Sequence, residues 1–530
     1  MANEKTPPDD VSRRQFVGTV AATAAGLTIV PRHVLGAGFQ APSDKVNVAV
    51  VGYAHGMGTS NLKNIVKSDN IVALCDVDES AAAKEARVRS KTTPADFPKP
   101  PAEYKDFRVM LEKSKDIDAV VVATPDHMHA IVAMAAMQAG KHVYVQKPMT
   151  RTIAEARALT EAARKYKVVT QMGNQGFSHE GTKTACEIVW SGDIGEVREV
   201  HAWTGAVSGG QLNLPPTGPA SEAAPSTLDW DLWLGPAAAR PYNPNYNSHW
   251  RAFQDFSTGG SLGDWLVHIL GPAHLALQLD TVSPVSVETV SLEGKNQWVW
   301  PWRAHTIFEF PARGSMPPVT VHLYQNMRGD FQYPAGMVEG EALFPAMNNL
   351  AEKGRPSLTD DAGTLLAGGD QLMADGKPAP GVRLPGQFGG GAGRGGRGGG
   401  RGAAPPDPNR GPGNGTVFVG SKGYMATSQR GEGVWLLPAS RWSEYKLPPQ
   451  LLPRGVNHQQ DWIRACKGGA APVSQFSVAS KYIEWLALGP IALRVPGKLM
   501  WDAKNLRFSN SDEANKLLAP YVRKGWELKV

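Results

Sequence analysis

The stretch Val46-Asn47-Val48-Ala49-Val50-Val51-Gly52-Tyr53-Ala54-His55-Gly56-Met57-Gly58 decides the fold. A nearly unbroken β-branched apolar run ending at a glycine reads as a strand buried on both faces, and a helix is expected from Thr59 to Lys67. A glycine turn between strand and helix lets backbone N–H groups approach a pyrophosphate at the helix N-terminus. Gly52, Gly56 and Gly58, with Tyr53 and Met57 between them, run one residue longer than the GxGxxG fingerprint, so the turn needs support from elsewhere. Asp76 supplies it. It follows a second apolar run, Ile71 to Cys75, and a carboxylate there accepts hydrogen bonds from ribose hydroxyls. Asp78 is a second carboxylate nearby, and no arginine immediately follows to meet a 2′-phosphate, so NAD is favoured over NADP.

Outward from this stretch, helices and apolar strands alternate. Helices are expected near Glu79 to Ser90, Tyr104 to Lys113 and His127 to Gln138, with strands at Ala119 to Ala123, His142 to Val145 and Val168 to Gln171. This predicts a Rossmann-type, doubly wound parallel sheet over residues 44–170. Residues 171–530 are Trp- and Pro-rich with alternating strands at Val197 to Trp203, Thr306 to Phe310 and Pro318 to Tyr324. They are expected to form an α+β domain with a largely antiparallel open sheet, ending in helices from Asn457 to Arg464 and Ala479 to Leu488. Residues 386–415 form a Gly/Arg/Pro tract too poor in apolar side chains to order itself, and an RNA-binding role is disfavoured because its arginines lack interleaved aromatics.

Composition narrows the classes. The chain has 530 residues, 42% hydrophobic and 20% charged, which is ordinary for a globular protein longer than one core usually fills. Much of the excess behind its formal charge of +6 lies at the N-terminus and in the Arg/Gly tract, so no nucleic-acid face is expected. Three distant cysteines, Cys75, Cys186 and Cys466, argue against a disulfide framework or a cysteine metal site. Residues 1–40, with Ser12-Arg13-Arg14-Gln15-Phe16 before an uncharged Ala-rich run from Val17 to Val30, resemble a twin-arginine export signal. No segment is apolar enough for an integral membrane span. The export machinery is thus an expected partner, and a periplasmic or otherwise exported location is expected.

Two further segments carry chemistry. Ala123-Thr124-Pro125-Asp126-His127-Met128-His129 closes a buried strand at the end where parallel sheets place ligands. His127 and His129 are two residues apart and share no helical face, so they are expected to cap the helix or line the cofactor crevice, and no metal is expected. The other is Lys141-His142-Val143-Tyr144-Val145-Gln146-Lys147-Pro148, a strand ending in Lys-Pro.

With the glycine turn, Asp76 and Thr124-Pro125, this segment resembles the Gfo/Idh/MocA family of NAD(P)-dependent oxidoreductases over most of the chain from Asp44 onward. The family triplet is Glu-Lys-Pro, so Gln146 is a departure that removes a negative charge near the nicotinamide and keeps hydrogen-bonding capacity. The resemblance implies that Lys147 works beside Asp264 and His268, which fall i,i+4 on an expected helix and so share one face. It implies that Lys147 polarises a substrate hydroxyl while Asp264 or His268 takes the proton, and the two remain equal candidates for the base. Asn174 and Gln175 correspond to the family segment near the nicotinamide, and His458 to a weaker substrate-pocket position. The segment His249-Trp250-Arg251 could supply an aromatic platform and polar donors for a sugar ring, although Trp250 reads equally well as core.

The leading functional expectation is an exported oxidoreductase acting on a secondary alcohol of a sugar, cyclitol or glycoside. Free NAD is scarce outside the cytoplasm, so a tightly held cofactor is expected. A redox-neutral NAD-dependent glycosidase or lyase on the same fold is the alternative, and a non-catalytic nucleotide- or sugar-binding protein is the third. The resemblance also implies a homo-oligomer built through the outer face of the second sheet.

Overall fold

The computed structural model describes residues 44–529 except 55, 209–211, 328–330, 339–340, 348, 356–357, 360–364, 367–413 and 455–456. The expected export signal at 1–40, and nearly all of the Gly/Arg tract, lie outside the described residues. The described residues from Val46 onward belong to a single unit.

Six strands form the first sheet: β1 (Asn47–Val51), β2 (Asn70–Cys75), β3 (Ala102–Tyr104), β4 (Ala119–Val122), β5 (His142–Gln146) and β6 (Thr170–Gly173). Their order is β3-β2-β1-β4-β5-β6 and every pairing is parallel. This is the doubly wound order in which the chain reverses direction between β1 and β4, opening a crevice at the strands' carboxyl ends. Val48, Ala49 and Val50 are buried without exception, as an apolar run covered on both faces requires. The first helix spans Gly56–Ile65, three residues earlier than expected, so Gly56, Met57 and Gly58 form its opening turn. Close packing at the junction makes this possible. A Cβ on Gly58 would stand 2.1 Å from the Gly52 carbonyl oxygen, and one on Gly52, whose φ is +82°, would stand 2.7 Å from the Ala123 carbonyl.

The second sheet has nine strands in the order β15-β14-β13-β7-β10-β9-β8-β16-β17. They are β7 (Val197–Thr204), β8 (Ser286–Glu293), β9 (Arg303–Phe310), β10 (Val319–Gln325), β13 (Gly415–Gly420), β14 (Gly423–Ser428), β15 (Val434–Leu437), β16 (Leu499–Asp502) and β17 (Arg507–Phe508). A separate two-stranded ribbon is formed by β11 (Leu358–Thr359) and β12 (Leu365–Leu366). Only β7 and β10 run parallel among the paired strands of the large sheet, which is otherwise antiparallel as expected. The chain then returns to the first sheet. In the helix His458–Cys466, Gln459 donates to Asn61 and Gln460 donates to the Asn64 carbonyl and to Ser68, while Arg157 on one helix pairs with Glu484 on another. No described helix is long and apolar enough to cross a membrane.

Candidate cofactor and substrate site

A cavity of about 570 Å³ opens at the carboxyl ends of β1, β2, β4 and β5. Gly52, Gly56, Met57, Asp76, Thr124, Pro125, His129, Gln146, Lys147, Trp250 and Arg251 all line it, as does Asp78. The Asp76 carboxylate ties the turn to the strand end, accepting from Ala54 N at 2.9 Å and Asp78 N at 3.1 Å.

The walls fit a dinucleotide. Glycine backbone forms the first turn, a carboxylate stands at the β2 end, and polar groups wait deeper in. Thr124 Oγ1 is buried without a hydrogen bond among the described residues, and the buried Gln146 amide lies beside the Tyr144 hydroxyl. A buried hydroxyl without a partner costs free energy unless a ligand satisfies it.

Beyond the cavity end of β5, Lys147 donates from Nζ to the Asp264 carboxylate and to the Asp264 carbonyl oxygen, each at 2.6 Å. Arg251 Nε approaches the same carboxylate at 3.1 Å, and Ser208 Oγ donates to its other oxygen at 2.7 Å. Burial works against the Asp264 charge, yet Lys147 and Arg251 overcome it and hold the carboxyl well below the usual range. Burial lowers the Lys147 pKa, against the pull of Asp264. Asp264 is thus an ionised, fully engaged carboxylate and a poor proton acceptor.

His268 is the opposite case. Asn174 Nδ2 donates to the Val267 carbonyl at 2.8 Å, which turns its Oδ1 toward His268 Nδ1, also at 2.8 Å. Nδ1 must therefore carry the proton, and Nε2 presents a lone pair with no protein partner among the described residues. Burial first, then the charge of Lys147, pushes the imidazole well below its ordinary pKa, so it is neutral.

The expected α-helix around this pair is not what forms. Leu262–Leu266 is a π-helical turn, followed by a short α-helical segment at Val267–Ile269. Gly259 and Gly260 enter it at φ +72° and +60°, and a Cβ on Gly263 would stand 2.5 Å from the Thr258 carbonyl. The wider turn presents the Asp264 carbonyl to Lys147, a use of π geometry that recurs at functional sites.

Several expected site residues lie outside the cavity lining, Asp264 and His268 behind Lys147 among them. Tyr53 contributes only backbone to the turn. Its ring is buried beneath the Arg87 guanidinium at 4.6 Å, and its hydroxyl donates to Glu103. Gly58 packs helix against strand and does not line the cavity. His458 belongs to the core, because its two ring nitrogens meet Ser178 Oγ at 2.6 Å and the Met172 carbonyl at 2.9 Å. Asn174 serves His268, and Gln175 is buried near the Tyr144 hydroxyl. His129 spans the Pro148 and Thr124 carbonyls at 2.7 and 2.9 Å, pinning the two loops that flank the cavity. His127 packs between Trp233 and Phe256 and meets the Trp233 carbonyl. Trp250 settles between its two readings, half-buried in an aromatic cluster yet lining the cavity with Arg251 stacked on it at 4.1 Å.

Residues not expected from sequence complete the walls. Asp126 is buried, accepts from Thr258 N at 3.0 Å, and titrates at about 6 because burial outweighs the attraction of Arg251 and Lys147. Leu228, Trp233 and Trp526 close the far side.

Comparison with known proteins agrees with this layout. Residues 46–174 match the oxidoreductase family, NAD-binding Rossmann fold, and residues 203–310 match the oxidoreductase family, C-terminal alpha/beta domain. Both matches carry the Gfo/Idh/MocA description, the cofactor domain preceding the C-terminal domain along the chain. Its Rossmann half is NAD-binding. An inositol 2-dehydrogenase from Salmonella paratyphi B is 28% identical over 160 residues, 29% of this chain and 43% of that one. A glycosyl hydrolase family 109 protein from Saccharopolyspora erythraea is 31% identical over 186 residues, 31% of this chain and 39% of that one. These matches therefore span less than half the length of the curated relatives. Among solved structures, an inositol dehydrogenase homolog complexed with NADH and myo-inositol from Azotobacter vinelandii is 15% identical at a TM-score of 0.47, covering 86% of this chain and 98% of that one.

Proposed function

We propose that this Gfo/Idh/MocA chain is an exported NAD-dependent oxidoreductase that oxidises a secondary alcohol of a sugar, cyclitol or glycoside, with His268 as the base. The observation that carries the reading is His268 itself, neutral, held in one tautomer by Asn174, and beside a lysine whose partner is already an ionised aspartate. Two of the three Lys147 N–H donors are spent on Asp264, which leaves one for the substrate oxygen. His268 Nε2 accepts the hydroxyl proton as the carbonyl forms. Asp264 holds Lys147 in place and balances its charge. NAD, when bound, supplies the acceptor for the hydrogen that leaves carbon with its electron pair. The inositol dehydrogenase match supports a polyol substrate, and Trp250 with Arg251 offers the aromatic face and donors that a sugar ring takes.

Export rests on the Arg13-Arg14 signal and makes a cofactor that stays bound the expected arrangement. A homo-oligomer belongs to the same proposal, and the exposed Val290 and Leu292 of β8 offer apolar surface for it. A redox-neutral glycosidase is the second reading, supported by the glycosyl hydrolase family 109 match.

The test is to denature purified protein, identify released nucleotide, and incubate the holoprotein with cyclitols, sugars and aryl glycosides. Cofactor reduction by a polyol, lowered at least 100-fold in His268→Asn with NAD still bound, is the expected result. Aglycone release without net NADH favours the second reading. Absence of any NAD(H) binding rejects both.

A further inference from the structure

A second cluster of chemically capable side chains lies on the large sheet, and none of its members lines the cofactor cavity. The parallel register of β7 and β10 sets His322 opposite His201 and Tyr324 opposite Trp203. Side chains two apart on a strand share a face, so Glu199 joins His201 on that side. One ring nitrogen from each imidazole and a Glu199 carboxylate oxygen lie within 4.8 Å of one another. The two rings are 3° from parallel with centroids 4.6 Å apart.

The groups around these rings are those that orient metal ligands. His201 Nδ1 meets the Tyr324 hydroxyl at 3.1 Å, which leaves Nε2 facing Glu199 Oε2 at 3.3 Å. His322 Nδ1 meets His305 Nε2 at 3.1 Å. Each imidazole thus has one nitrogen held by a neighbouring polar group, which fixes its tautomer, and because imidazole binds a metal in its ring plane the stacked rings turn about Cβ–Cγ to share one ion. Around them Phe331 and Trp203 pack against the His201 ring, giving the cluster a largely apolar wall. Two imidazoles and one carboxylate form a donor set suited to Zn²⁺, and poorly suited to Mg²⁺ or Ca²⁺, which select oxygen. The Glu199 side chain is 54% exposed, so the fourth position of a tetrahedral ion faces solvent.

We propose that Glu199, His201 and His322 bind a zinc ion that cross-links β7 to β10, a site separate from the NAD-binding crevice and independent of the function proposed above. The competing explanation is a stacked ladder of aromatic rings, with His201, Trp203 and Tyr324 packing for packing's sake.

Untagged full-length protein, stripped with chelator, equilibrated with zinc sulfate and passed through a desalting column, separates the two. Zinc per chain is measured by elemental analysis, and affinity by competition with a chromogenic chelator. Cobalt(II) in place of zinc reports coordination geometry through its visible absorption. One zinc retained per chain, a tetrahedral cobalt spectrum, and at least tenfold weaker zinc binding in Glu199→Gln and in His322→Ala, with NAD binding unchanged in both, are the expected results. Glu199→Gln alters an exposed side chain and keeps the test open should a histidine variant misfold. Failure to retain zinc, or equal retention by wild type and both variants, overturns the proposal.

Discussion

Replacing Asp126 by asparagine isolates a buried charge. Asp126 opens the helix Asp126–Gln138, is almost wholly inaccessible, and uses one carboxylate oxygen to accept the Thr258 amide. Asparagine keeps the shape and that acceptor while removing the ionisation. The native carboxyl titrates at about 6 instead of 3.8, a difference worth about 3 kcal/mol in total. The folded pKa is the higher one. Stability contributed by this group is therefore fully present below about pH 4 and is lost as pH rises through about 6. Asparagine has nothing to lose, so Asp126→Asn should gain on wild type as pH increases. Of the total, about 2 kcal/mol falls between pH 4.5 and 7.5 by the two-pKa linkage relation. Urea unfolding of both proteins at these two pH values, followed by tryptophan fluorescence and compared as differences, measures the change. A stability gap that stays constant, or narrows, as pH rises would refute the reasoning, because Lys147 and Arg251 would then have compensated the buried charge fully.

Asn174→Ala should lower kcat by 10- to 100-fold in steady-state kinetics while NAD affinity is kept, since it removes the group that sets the His268 tautomer without touching the cavity wall. Asp264→Asn leaves Lys147 and Arg251 facing each other without their counter-charge, and a loss of about 3 kcal/mol in denaturant unfolding is expected. Asp76→Ala should weaken NAD binding at least tenfold by calorimetry, having removed both the expected ribose acceptor and the anchor for Ala54 N.

Residues at strand ends were legible in the sequence because a parallel sheet delivers its ligands there, so Asp76, Thr124 and Lys147 could be placed from apolar runs and their terminators alone. Side chains in the same motifs were less so. Tyr53 sits in the glycine turn, yet whether its ring faces the cavity or the core depends on Arg87 and Glu103, which lie on other elements. His458 has the composition of a site residue, and only the packing of its helix against β6 shows both nitrogens consumed. The π turn at Asp264 was hidden because helical spacing is read as 3.6 residues, although the Gly259-Gly260 pair before it was a visible sign of unusual backbone. Ser208 and Trp526 carry no local pattern, and they reach the site from segments remote in sequence.

Trp526 carries a temporal consequence. The cavity that begins at Gly52 is closed on one side by an indole near the far end of the chain, wedged between Phe107 and the Arg523 guanidinium. A nascent chain leaving the ribosome can pair β1 through β6 early, but it holds an unfinished binding site until residue 526 has emerged and folded back. The cavity wall is therefore complete only when residue 526 has folded back onto a crevice that begins at Gly52.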